Sequence, residues 1–147
     1  VSYLILDARY EHVRCGGTVV DMALLVAIGV LPDGRRTVLG VSVSDSEAEV
    51  HWREFFQSLL ARGLCGVRYV VSDAHEGIKA ATARVLATTW QRCRVHFGRN
   101  ALAHAGKSSR RVVESCLHSG HEHRVFRPPA PDRLHRIVGP NPFCNAG

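Results

Sequence analysis

The chain reads as an α/β protein built on one mixed sheet. Three observations predict this. Aliphatic and β-branched runs near its start flank a short turn, the pattern of an antiparallel meander. A following segment repeats large apolar residues at helical spacing. Beyond it, helical and strand patterns alternate, as parallel strands joined by helical crossovers do.

The elements follow in order. Tyr3-Leu4-Ile5-Leu6-Asp7 is a short apolar run closed by a carboxylate and predicts a buried strand. Val19 to Val30 predicts a long second strand. Leu31-Pro32-Asp33-Gly34-Arg35 is a turn, since Pro suits its second position and Gly tolerates positive φ. Thr37 to Val43 returns as a third strand. Ser46 with Glu49 reads as a capping box opening a helix. That helix carries Trp52, Phe55, Phe56, Leu59 and Leu60 on one face, and Gly63 stops it. Val67 to Val71 is a fourth strand, running into Ser72-Asp73. His75 to about Leu86 predicts a helix with Ile78, Ala81, Val85 and Leu86 inward and Thr82 on the same face. Trp90-Gln91 predicts a short fifth strand, with Trp90 either core or base-stacking. Arg94 to about Ala105 predicts a last helix, with Val95, Leu102 and Phe97 partly buried. This is the order of a ribonuclease H-like fold.

At 147 residues, 46% hydrophobic and 22% charged, the sequence fits one ordinary domain with a real core rather than a disordered chain. The longest apolar stretch, Val19 to Leu31, contains Asp21 and is too short to span a bilayer, so no membrane partner is expected. Five scattered cysteines do not form a disulfide framework and, with no export signal in view, point to a cytoplasmic protein. Val1 already stands inside an apolar run, so the chain reads as a piece of a longer protein. Residues 118–147 hold five of the six prolines with four His and four Arg, and neither structural period survives there. The expected division is a core over 1–107 and a poorly ordered Pro/His/Arg-rich tail over 108–147, with the fold incomplete at its C-terminus.

Charge is uneven. Residues 1–73 carry −2 and residues 74–147 carry +8. From Arg92 to Arg111 six basic residues occur without an acidic one (Arg92, Arg94, Arg99, Lys107, Arg110, Arg111), enough to neutralise phosphates and release counterions from DNA. A solvated helix face gives the same pattern, because Arg outnumbers Lys 17 to 2.

Asp7 and Asp73 each end a predicted strand. Sites in open α/β sheets form outside the carboxyl ends of strands. If the first and fourth strands are parallel neighbours, both carboxylates emerge at one edge, where their repulsion favours a hard divalent cation between them. Such ions activate a water or a 3′-hydroxyl and stabilise the leaving oxygen in phosphoryl transfer. Taken singly, each Asp is equally a turn former or a helix cap. Cys93 and His96 share a face if both lie on a helix, which would supply half a zinc site. The candidates for its completion are His75, His104 and Cys65. A buried Cys beside a hydrogen-bonded His is the plainer alternative, and His96 near the carboxylates is a third.

These words in this order resemble the mutator-type transposases of bacterial insertion sequences. The resemblance runs over about residues 3–107. It rests on Leu6-Asp7-Ala8-Arg9-Tyr10-Glu11, Ser46-Glu47 with Trp52-Arg53-Glu54-Phe55, Ser72-Asp73-Ala74-His75-Glu76-Gly77, and Gln91-Arg92-Cys93-Arg94-Val95-His96-Phe97 with Arg99-Asn100. It implies a ribonuclease H-like core using three acidic residues and Mg²⁺ or Mn²⁺, which cuts transposon ends and joins them to target DNA. By position, Asp7 and Asp73 are the first two acidic residues and the metal ligands. Cys93 and His96 are the paired motif behind them, with His75 beside. Arg92, Arg94 and Arg99 are the expected phosphate contacts. The implied partners are DNA and, in the full-length family, further copies of the protein; the implied location is the bacterial nucleoid when on DNA. The family's third acidic residue lies well downstream, and Glu114 and Glu122 are too close to the motif to serve. The expectation is therefore weak metal binding and no activity of the chain alone. The alternatives are a non-catalytic remnant that binds DNA or a transposase, and a nuclease using local residues only.

Overall fold

Thirteen consecutive residues, Tyr3–Cys15, form the first strand, β1, and the next thirteen-residue strand, β2 (Thr18–Val30), pairs antiparallel with all of it, from Tyr3↔Val30 to Cys15↔Thr18. The computed structural model describes residues 1–119, which divide into two compact units, Val1–Cys93 and the chain from Arg94 onward. The hairpin closes at Gly16-Gly17, whose φ values of 57° and 84° suit a two-residue turn with both centres left-handed. The first strand is thus far longer than the Tyr3–Asp7 run. Residues 8–15 are largely polar, so hydrophobicity does not announce them; cross-strand pairing holds them extended.

The chain then turns at Gly34 (φ 83°) into β3 (Arg36–Ser44), antiparallel to β2. The crossover helix α1 (Glu49–Ala61) leads to β4 (Tyr69–Ser72), which is parallel to β1, and α2 (Glu76–Ala81) leads toward β5 (Thr89–Arg92), parallel to β4. The sheet order is β3-β2-β1-β4-β5. The expected mixed sheet, a meander followed by parallel strands, is what forms.

One sheet face carries the core. Leu4, Leu6, Ala23, Leu25, Ala27 and Val70 alternate inward and meet Trp52, Phe55, Phe56 and Leu59 of α1, with Ile78 and Ala81 of α2. At Gly40 a side chain would meet Leu59 Cδ2 at 3.0 Å and Phe55 at 3.2 Å, so the helix lies directly on β3 there. Gly63 (φ 96°) ends α1: its N–H donates to Leu60 O and that of Leu64 to Leu59 O, both at 2.9 Å, a paired closure that brings Leu64 back onto Leu59.

Three local expectations change. The capping box does not form: Ala48 occupies the N-cap, Ser46 Oγ donates to Asp45, and the Glu49 carboxylate pairs with Arg84 at 3.0 Å, a tertiary partner replacing a local one. Leu60 is exposed, on the edge of the stripe rather than within it. The helix begun at Glu76 widens after Ala81 into a π-turn, Thr82–Leu86, closed by Ala87 N–H on Thr82 O with Ala87 at φ 47°. The wide turn buries Thr82 fully and sets Val85 and Leu86 against the core.

The second unit contains α3 (Arg94–His104) and α4 (Arg110–Ser119). Gly98 lets Leu117 approach to 3.9 Å of where a side chain would begin. Val95 and Phe97 are exposed rather than partly buried, and neither helix has a buried residue. Residues 110–119 form a helix where a poorly ordered stretch was expected; the rest of that expected tail, with Glu122, lies outside the described residues. Among the described residues no helix is long and apolar enough to cross a membrane.

Candidate active site

Strand direction decides which residues can meet. β1, β3, β4 and β5 all run the same way, so their carboxyl ends share one edge. The chain's path also reverses beside β1, with the meander on one side and the helical crossovers on the other. Pairing of β1 with β4 stops at Ile5↔Val71. The edge beyond the carboxyl ends of such strands is where open α/β sheets hold ligands. Continued by two residues, that register sets Asp7 level with Asp73. Asp7 therefore does not close its strand. It sits inside β1, at the point where β4 leaves it, and it is exposed; Asp73 is half-buried one residue past β4.

The backbone at Asp73 is held from several sides. Ser72 is fully buried, and its hydroxyl donates to Asp73 O at 2.8 Å while accepting from Trp90 Nε1 at 2.8 Å. Trp90 is thus half-buried structure, with Lys79 Nζ 5.1 Å from its ring centroid. Cys93 N–H donates to Ser72 O, so β5 is tied to β4 one residue before Asp73. The Asp73 carboxylate accepts from His75 N–H at 3.4 Å. His75 caps α2, its Nδ1 accepting from Gly77 N–H at 3.2 Å. A neutral His75 therefore carries its proton on Nε2.

Glu47 was not singled out as a site residue by sequence reasoning. It lies between β3 and α1, at the same sheet edge. Gly77 brings the two loops together, for a side chain there would stand 2.4 Å from Glu47 O. Burial pushes the Glu47 carboxyl above its ordinary range; the charges of Asp73 and Asp7 add to this, and His75 opposes it. The four groups therefore share one electrostatic neighbourhood. The signal that finds Glu47 is topological: a carboxylate following any strand parallel to β1.

Other expected residues fall elsewhere. Cys93 precedes α3 instead of lying on it, so it does not share a helical face with His96. Cys65 stands before β4, at the opposite edge from Cys93. Among the described residues no three His, Cys, Asp or Glu groups are grouped to hold a metal ion. Arg92 is half-buried on β5. In the second unit His96 is half-buried, His104 Nδ1 meets Asn100 O at 2.8 Å, and Arg99 is exposed. Arg94 donates to Leu117 O at 3.5 Å, near the end of α4.

The sequence profile described as "Transposase, Mutator family" matches residues 1–126. The chain belongs to this family. Among Mutator-family relatives, the transposase for insertion sequence element IS406 of Burkholderia multivorans is 54% identical over 100 residues, covering 67% of this chain and 26% of that protein. The transposase for ISRM5 of Rhizobium meliloti is 51% identical over 117 residues, covering 79% and 29%. The chain thus spans between a quarter and a third of the length of these transposases. A solved HTLV-2 integrase catalytic core domain in complex with magnesium covers 86% of this chain and 89% of its own, at 10% identity and a TM-score of 0.40, too faint a likeness to carry an inference.

Proposed function

We propose that this Mutator-family chain is part of a ribonuclease H-like catalytic core that cuts insertion-sequence ends and joins them to target DNA. The observation that carries the reading is the common register of Asp7 and Asp73 at the carboxyl edge of β1 and β4. In this reading the two carboxylates hold Mg²⁺ or Mn²⁺. Their chemistry fits: hard oxygen donors, one exposed and one half-buried, beside a Glu47 carboxyl raised chiefly by burial and further by their own charge. A divalent ion there supplies charge neutralisation for in-line phosphoryl transfer.

The chain's own residues do the rest. Ser72, Trp90 and Cys93 fix the Asp73 backbone. His75 N–H steadies the Asp73 carboxylate, and His75 Nε2–H is a donor for a phosphate oxygen at that edge. Cys93 and His96 are the paired motif of this reading, and Arg92, Arg94 and Arg99 its phosphate contacts. Two metal-binding carboxylates hold such an ion weakly, and the chain alone does not complete strand transfer. The working partners are DNA and further copies of the full-length protein, on the bacterial nucleoid.

Titration calorimetry with Mg²⁺ and Mn²⁺ tests this. Weak binding to the chain, lost in both Asp7→Asn and Asp73→Asn, is expected. Binding indifferent to both substitutions would sink the reading, and nicking of insertion-sequence ends by the chain alone would overturn its inactivity.

The exposed basic residues of the second unit favour a second reading, a non-catalytic module that binds DNA or a transposase. A salt-dependent DNA complex untouched by Asp73→Ala, without any metal binding, would favour it over the first.

A further inference from the structure

The β1–β2 hairpin outgrows its sheet. β4 pairs with β1 only as far as Ile5, and β3 pairs with β2 only from Ala23 onward. The five pairs from Glu11↔Met22 to Cys15↔Thr18 therefore form a ribbon with both edges open, and every residue from Arg9 to Asp21 is exposed. At about 3.3 Å per residue, the tip stands roughly 26 Å along the strand from Asp7. At either glycine of the tip, the place a side chain would take has nothing within 4 Å beyond its own chain neighbours.

We propose that this ribbon is a DNA-docking arm that lies in a groove of the duplex beside the reacting phosphate. The proposal rests on the reading of Asp7 and Asp73 as the catalytic edge. The arm grows out of the strand that carries Asp7 and leaves the sheet at that edge, so a duplex presented to the carboxylates runs alongside it. The arm's five pairs reach roughly 17 Å at about 3.3 Å per residue, enough to cross a major groove about 12 Å wide, and a two-stranded ribbon is one of the elements that groove admits. From Arg9 to Met22 the arm's two arginines balance its two acids. Both acids on the ribbon are engaged, Glu11 by Arg9 and Asp21 by His12. Arg14, beside the tip, has no ion-pair partner among the described residues and remains available to a phosphate. Val13 and Val20 face each other across one side of the ribbon, with Tyr10 and Val19 on the other, all exposed. They offer apolar contact to sugars and thymine methyl groups on both sides of an inserted ribbon.

The test uses the whole chain and a shortened form lacking residues 12–15 and 18–21, which keeps Gly16-Gly17 as the turn and Glu11 opposite Met22. Arg14→Ala, which leaves the ribbon whole, is the second variant. Fluorescence anisotropy with a labelled duplex is read across salt concentrations, alongside circular dichroism, Mg²⁺ calorimetry and sedimentation. The shortened chain should bind DNA at least about tenfold more weakly, and Arg14→Ala should lower the salt slope by about one. Mg²⁺ binding should be unchanged in both. If the shortened form is unfolded, the Arg14→Ala slope decides alone. Unchanged DNA affinity and slope would overturn the proposal. So would loss of a dimer on shortening with DNA affinity intact, which would assign the ribbon to a second copy of the chain. Mg²⁺ binding indifferent to Asp7→Asn and Asp73→Asn, with DNA affinity still lost on shortening, would sink the catalytic reading and leave the arm standing.

Discussion

The root and the tip of the β1–β2 hairpin share two strands and one unbroken pairing, yet differ in almost everything else. At the root Leu4, Leu6, Ala23, Leu25 and Ala27 are at most 1% exposed, pressed on α1 and α2. At the tip Val13, Val19 and Val20 are 37–57% exposed on the same ladder. Hydrogen-bonded pairing is common to both, so it does not decide where stability resides. Burial decides it, because the net worth of a ladder bond is small beside that of a buried aliphatic side chain. Asp7 stands where one regime gives way to the other.

That contrast can be broken by substitution. The largest effect is expected in the root: Leu6→Ala should cost about 2–5 kcal/mol, whereas Val13→Ala in the arm should stay within about 0.5 kcal/mol. Equal costs in urea denaturation would erase the distinction. Next comes the contact that joins the site's two loops. Gly77→Ala places a carbon against Glu47 O, held 2.4 Å away by backbone on both sides, and should cost about 1–3 kcal/mol while disturbing metal binding. Full stability in that variant would show that the loops yield freely. At the tip, Gly17→Ala forces an L side chain to φ 84° and should cost about 1 kcal/mol through the turn alone. A larger loss would mean that the arm supports the root.

The smallest effect is electrostatic. Glu47 has its carboxyl raised above the ordinary 4.5, so the folded chain holds this proton more tightly than the unfolded chain. Its contribution to stability is whole below 4.5 and is lost as pH rises through the raised value. Glu47→Gln removes that loss. The variant should melt higher than the parent at neutral pH and together with it in acid; parallel melting curves at every pH would refute the shared field.

Much of the fold was legible because its signals are local. The stripe Trp52, Phe55, Phe56, Leu59 is helical spacing and nothing else, and it is buried as spaced. The apolar run of β2 and the turn at Gly34 were equally plain. The arm was harder to read. Arg9 to Cys15 shows no apolar alternation, because neither face of the ribbon is buried. Gly16-Gly17 was the available clue, since paired glycines favour a two-residue hairpin turn. The helix start misled because Ser46 and Glu49 have the right spacing, while Arg84 and Asp45 compete for the same groups in space. Glu47 stood in a word of the resemblance, Ser46-Glu47, but nothing local marked it as a site residue.

The sequence by itself determined the succession of elements, the apolar stripe of α1, and two carboxylates set where apolar runs give out. It could do so because periodicity and strand-end chemistry are properties of neighbours along the chain. Only the tertiary structure decided that β1, β3 and β4 point the same way, that the β1–β4 register brings Asp7 level with Asp73, and that Glu47 and Gly77 meet. Those facts depend on register and crossover, which bring together residues dozens of positions apart and leave no trace in any short window of sequence.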